Sequence, residues 1–122
     1  MNIGFIGTGK IASSVILGIT SSKIKYKKII ISPRNRKIAA KLKRKFKKII
    51  IAKNNDEVVK NCQWVFLSIT PEVGNQIIKK LKFRPKQTIV SFISTITLVE
   101  LKKMIRKKVD IVRAIPLPPI SL

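Results

Sequence analysis

The residues with the clearest chemical meaning are Gly7-Thr8-Gly9-Lys10-Ile11-Ala12, which follow a short apolar run, Asn2 to Ile6, and open a stretch with helical spacing. Each position of this GxGxxA pattern has a physical reason. The first glycine permits a tight turn, the second lets the backbone approach a pyrophosphate, and the small third residue lets a helix pack on a strand. A helix beginning there presents free backbone amides to phosphate oxygens. The spacing therefore predicts a phosphate cradle for a dinucleotide. Without a ligand, the same residues would make only a tight strand-to-helix turn.

A second group lies at the end of the next apolar run, in Ser32-Pro33-Arg34-Asn35-Arg36-Lys37. Domains that select NAD usually place an acidic residue about 20 positions after the glycines, where it binds the ribose hydroxyls. Here that place is basic. Guanidinium groups clamp phosphate through parallel hydrogen bonds, and Ser32 and Asn35 are expected to add neutral ones alongside Arg34 and Arg36. The combination favours the 2′-phosphate of NADP(H) over NAD(H).

These groups need a scaffold that brings strand ends together, and the rest of the chain reads as one. Ile11, Val15 and Ile19, with Ala12 and Ile16 beside them, predict a helix from Lys10 to Thr20. Lys28 to Ile31 is a continuous apolar run, as a strand covered on both faces should be, and Ile49 to Ala52 supplies a third strand. Between them Ile38, Leu42 and Phe46 predict a helix from Asn35 to Lys48. A short helix from Asp56 to Asn61, a strand Trp64 to Ile69, a helix Pro71 to Leu81, a strand Thr88 to Ile93, a helix Leu98 to Lys107 and a strand Asp110 to Ala114 follow. Trp64 is read as core. This alternation predicts a single α/β domain over residues 1–122, a Rossmann-type, doubly wound, mainly parallel sheet of about six strands.

Composition removes several chemistries. The chain has no histidine, which excludes Ser/His/Asp and Cys/His catalysis and the usual zinc sites. Four of the five acidic residues, Asp56, Glu57, Glu72 and Glu100, fall at predicted helix starts, where a carboxylate meets the positive end of the helix dipole. Their positions read as structural, and no pair is placed for acid–base work. The one cysteine, Cys62, reads as a small filler before a strand. A net charge of +22 attracts polyanions in general, but the lysines are spread along the chain, so no specific nucleic-acid site is expected. No apolar run approaches the ~20 residues of a membrane span, and nothing reads as a secretory leader, so a soluble cytoplasmic protein without membrane contact is expected.

Taken in order, MNIGFIGTGKIASSVILGI, IIISPRNR, VFLSITPEV, SFISTITLVELKKMI and IVRAIPLPP resemble the amino-terminal half of pyrroline-5-carboxylate reductase. The resemblance implies reduction of a small cyclic imine, 1-pyrroline-5-carboxylate, to proline with NAD(P)H. It implies that Gly7 to Ala12 form the pyrophosphate loop and that Ser32, Arg34, Asn35 and Arg36 meet the phosphate of the adenosine ribose. It also implies that Ser68, Ile69, Thr70 and Pro71 border the nicotinamide end, with Ser94 on a neighbouring loop.

Thr70 stands where the family usually has lysine, and Ile115-Pro116-Leu117-Pro118-Pro119 where it commonly has Met-Pro-Asn-Thr-Pro. The family's helical carboxy-terminal domain, which dimerises and completes the substrate site, has no counterpart in these residues, so a partner chain supplying it is one expectation. Rival readings are a deazaflavin-linked NADP oxidoreductase and a non-catalytic NADP-sensing module.

Overall fold

A computed structural model describes residues 1–114, so the Ile115 to Pro119 motif lies outside the described residues. Six strands, β1 (Ile3–Ile6), β2 (Ile29–Ile31), β3 (Ile49–Ile51), β4 (Trp64–Leu67), β5 (Thr88–Ser91) and β6 (Asp110–Arg113), form one sheet. Their order is β3-β2-β1-β4-β5-β6, and every pairing is parallel. The order reverses between β1 and β4, the place where open α/β sheets bind ligands beyond the carboxyl ends of their strands. Fold class and strand number are as the alternation predicts: this is a Rossmann-type α/β domain.

Helices α1 (Lys10–Thr20), α2 (Arg36–Lys45), α3 (Asn55–Asn61), α4 (Pro71–Ile77) and α5 (Leu98–Ile105) connect the strands, and a 3-10 turn at Ile78–Lys80 extends α4. Ala12, Ile16 and Ile19 of α1 and Ala39 and Leu42 of α2 pack on Ile3, Phe5, Ile29, Ile31 and Ile49, forming one face of the core. On the other face Val58 and Val59 of α3, Ile78, and Leu101 and Ile105 of α5 pack on Ile6, Ile30, Val65, Leu67 and Ile89. Parallel β crossovers are right-handed, so reversing the direction of strand addition moves the helices to the opposite face.

That handedness explains the one core expectation that fails. Trp64 pairs with Ile3 in register and so faces the α1–α2 side, but those helices lie over β1 to β3. Its side chain remains 39% exposed and tilts over Phe66, with ring centroids 6.5 Å apart. Helix α2 is also shorter than its pattern predicts. Phe46 leaves the helix in an extended conformation (φ −126, ψ 119) and packs its ring on the α1–α2 core, which frees Lys47 and Lys48 to turn the chain into β3.

Helix boundaries elsewhere follow local chemistry. Thr97 and Glu100 form a reciprocal capping box on α5, and the Thr97 amide and hydroxyl that bind the Glu100 carboxylate hold its pKa below the ordinary value. Asp56, Glu57 and Glu72 likewise sit in first helical turns. Gln87, nearly buried, donates to the carbonyls of Val59 (2.7 Å) and Cys62 (2.8 Å), tying the end of α3 to the base of β5. Burial pushes the Cys62 thiol up to about 12, so it stays protonated and fills space between α3 and β1. Among the described residues, no helix is long and apolar enough to cross a membrane.

Candidate cofactor site

At the reversal point, the loops leaving β1, β2 and β4 border an open cavity of about 660 Å³. Gly7, Thr8 and Gly9 form one wall, Arg34, Asn35, Arg36 and Lys37 a second, and Ser68, Ile69, Thr70 and Val73 a third. Three segments far apart in sequence meet there because parallel strands deliver all their carboxyl ends to one edge. Among the described residues no acidic side chain lines the cavity, while Arg34, Arg36 and Lys37 are exposed at its rim.

The glycines act differently from one another. Gly7 turns the chain at φ +95, a conformation that side chains disfavour, and a Cβ on it would strike the Ser68 carbonyl and come within 2.7 Å of Ile69 Cγ2. Gly7 therefore lets the β1 and β4 loops touch. A Cβ on Gly9 would meet nothing within 4 Å, so this residue keeps space open for a ligand rather than for the protein itself. Ala12, fully buried against the sheet, fills the third position of the pattern, where a larger side chain would push α1 away.

The start of α1 is chemically unlike the other helix starts. Asn35, Asn54, Thr70 and Thr97 each accept a hydrogen bond from a first-turn amide of their own helix, at α2, α3, α4 and α5 respectively. Helix α1 begins at Gly9 with no side-chain cap and no acidic residue in its first turn. Its leading amides and the positive end of its dipole thus remain available at the glycine turn. Beside them, the hydroxyl oxygens of Thr8 and Ser68 are buried without a hydrogen-bond partner among the described residues. Such groups are costly unless a ligand or an ordered water satisfies them. Uncapped amides, two unpaired hydroxyls and a basic rim together fit the phosphates of a dinucleotide.

Of the residues expected from the sequence, Gly7, Thr8, Gly9, Arg34, Asn35, Arg36, Ser68, Ile69 and Thr70 come together as cavity walls. Lys10, Ile11 and Ala12 occupy the first turn of α1, and Pro71 is the first residue of α4. Ser94 sits outside the cavity, exposed on the loop after β5, where its carbonyl accepts a hydrogen bond from the Arg113 guanidinium. Ser32 is placed differently from the expectation. It is 0% exposed, lies behind the glycine turn, and its Oγ accepts from the Gly7 amide at 3.1 Å. Asn35 lines the cavity, but its side-chain oxygen is engaged by the Ile38 amide at 3.2 Å, which leaves its NH₂ to donate. Lys37 extends the basic run into the wall. Val73, one turn beyond Thr70, carries no sequence signal that sets it apart from other apolar helix residues.

The chain is similar to known proteins in both sequence and fold. A family model described as NADP oxidoreductase, coenzyme F420-dependent, matches residues 2–95. Pyrroline-5-carboxylate reductase 3 of Danio rerio is 30% identical over 125 residues, which take in the whole of this chain and 43% of the relative. A pyrroline-5-carboxylate reductase structure from Coxiella burnetii superposes with a TM-score of 0.86 at 25% identity, covering 97% of this chain and 44% of that one. Another, from Streptococcus pyogenes, gives 0.73 at 29% identity, covering 93% and 41%. The chain thus spans less than half the length of these relatives. By its sequence match and its fold, the chain belongs to the NADP oxidoreductase, coenzyme F420-dependent family and is similar to the amino-terminal region of pyrroline-5-carboxylate reductases.

Proposed function

We propose that this chain is the NADP(H)-binding part of an imine reductase acting on 1-pyrroline-5-carboxylate, in the last, cytoplasmic step of proline synthesis. The observation that carries the reading is the uncapped start of α1 beside the open Gly9 and the unpaired Thr8 and Ser68 hydroxyls. In this reading the α1 amides and the Thr8 hydroxyl bind the pyrophosphate. Arg34 and Arg36 clamp the 2′-phosphate, with the Asn35 NH₂ beside them. Ser68 to Pro71 border the nicotinamide end, and Ser94 stands at the edge of the substrate side. When bound, the dinucleotide supplies a hydride to the imine carbon while the ring nitrogen takes a proton.

Hydride transfer also needs the imine held close and oriented, and positioning of this kind is a large part of catalysis. None of the cavity walls supplies a group suited to grip the substrate carboxylate apart from the rim cations already given to the cofactor. We assign that task to residues beyond these walls, in a helical domain of the same protein or of a partner chain. Titration calorimetry on the chain tests the cofactor assignment. NADPH is expected to bind about 100-fold more tightly than NADH, the equivalent of two charge-assisted hydrogen bonds. Equal affinity, or tighter NADH, contradicts it.

The family description favours one second reading, hydride exchange between NADPH and a deazaflavin. It uses the same phosphate cradle and differs only in the acceptor. Supplying each acceptor to the complete enzyme separates the two: imine reduction without deazaflavin reduction supports the first reading, and the reverse supports the second.

A further inference from the structure

Ser32 stands at the end of β2, in the run expected to meet the 2′-phosphate, yet its hydroxyl is engaged by the Gly7 amide instead. Its side chain is 0% exposed and does not line the cavity. Backbone pairing fixes it there: the Ser32 amide donates to the Phe5 carbonyl at 3.0 Å, continuing the β1–β2 ladder one step past Phe5↔Ile31. This pairing sets the Ser32 hydroxyl beside the first residue after β1. The Gly7 amide donates to that hydroxyl at 3.1 Å, and from there the chain turns at φ +95. On its other side Gly7 presses against the Ser68 carbonyl. Gly7 is therefore held between the β2 and β4 ends, and the amides that follow it inherit its orientation.

We infer that Ser32 is a positioning residue, whose hydroxyl holds the Gly7 peptide and so aims the phosphate-binding turn, rather than a ligand for the 2′-phosphate. The inference rests on the dinucleotide reading of the cavity and names what keeps that cavity in shape. A residue that touches the 2′-phosphate affects NADPH alone. A residue that holds the turn affects every ligand with a pyrophosphate, and spares one without it.

The test compares wild type with Ser32→Ala and with Ser32→Cys, which keeps the volume but accepts hydrogen bonds poorly. Both variants are expected to bind NADPH and NADH about tenfold more weakly, the loss typical of one buried hydrogen bond, with the NADPH-to-NADH ratio unchanged. Binding of 2′-AMP, which carries the 2′-phosphate but no pyrophosphate, should stay within about twofold of wild type. General loosening of the fold would weaken 2′-AMP as well and so overturns the inference. So does a loss confined to NADPH, and so does unchanged affinity for both dinucleotides. A separate measurement on the unliganded protein keeps this apart from the cofactor reading: the Gly7 amide should exchange with solvent at least about tenfold faster in both variants. If wild type binds neither dinucleotide, the cofactor reading fails, and the exchange rate alone decides whether Ser32 holds Gly7.

Discussion

Gly7→Ala is expected to disable the cavity and to destabilise the fold at once. Alanine at φ +95 costs about 1–2 kcal/mol in backbone strain. Its methyl group would also meet the Ser68 carbonyl and Ile69 Cγ2, and overpacking of this kind adds about 1–3 kcal/mol. For a domain of this size the sum should lower the melting temperature by at least about 10 °C. Relief of the clash must move the β1 loop, the β4 loop or both, and these are two of the three cavity walls. NADPH affinity should therefore fall about 100-fold or more. Gly9→Ala provides the contrast. Its Cβ enters empty space and its backbone is already extended, so stability should change by no more than about 1 kcal/mol. The methyl would stand where the phosphate must come, so affinity should still drop. Thermal melts and calorimetry read both effects. A Gly7→Ala protein that melts and binds like wild type contradicts the proposed role of this turn.

The second large effect is expected from the rim. In the Arg34→Ala, Arg36→Ala double variant, NADPH affinity should fall roughly 100-fold while NADH affinity changes by no more than about threefold, because only the 2′-phosphate loses its charge-assisted hydrogen bonds. Both side chains are exposed, so the fold should be unaffected and the melting temperature nearly unchanged. Raising salt should weaken NADPH binding more in wild type than in the variant, since screening acts on a contact the variant lacks. An unchanged NADPH-to-NADH ratio in the variant would show that the 2′-phosphate is held elsewhere, and Lys37 is the remaining cation of that wall. Lys37→Ala then becomes the informative substitution.

Much of this was legible in the residues because it rests on local rules. Gly7 to Ala12 announces a strand-turn-helix, the triple isoleucine of β2 announces a strand covered on both faces, that of β3 announces a strand, although Ile50 stays exposed, and Thr97 with Glu100 announces a helix start. What stayed hidden depends on non-local geometry. Whether Trp64 is covered depends on which face each crossover helix takes, a consequence of strand order that no window around Trp64 contains. Whether Ser32 meets a ligand or the Gly7 amide depends on the register between β1 and β2, and a serine has the same composition in both roles. Phe46 ends α2 early because its ring finds a place in the core, although its position continues the helical pattern without a break. The availability of the α1 amides becomes visible only by comparison with the four helices that are capped.

The most direct test of the account follows individual backbone amides while NADPH is titrated into ¹⁵N-labelled protein. The largest shifts are predicted for Thr8, Gly9, Lys10, Ile11 and Ala12 at the start of α1, with much smaller ones for the first turns of α3 and α5, which are capped and do not line the cavity. Shifts confined to the lysine-bearing surface of α2, with the α1 amides unchanged, would mean that NADPH meets only the general positive charge of the chain and that the glycine turn holds no pyrophosphate.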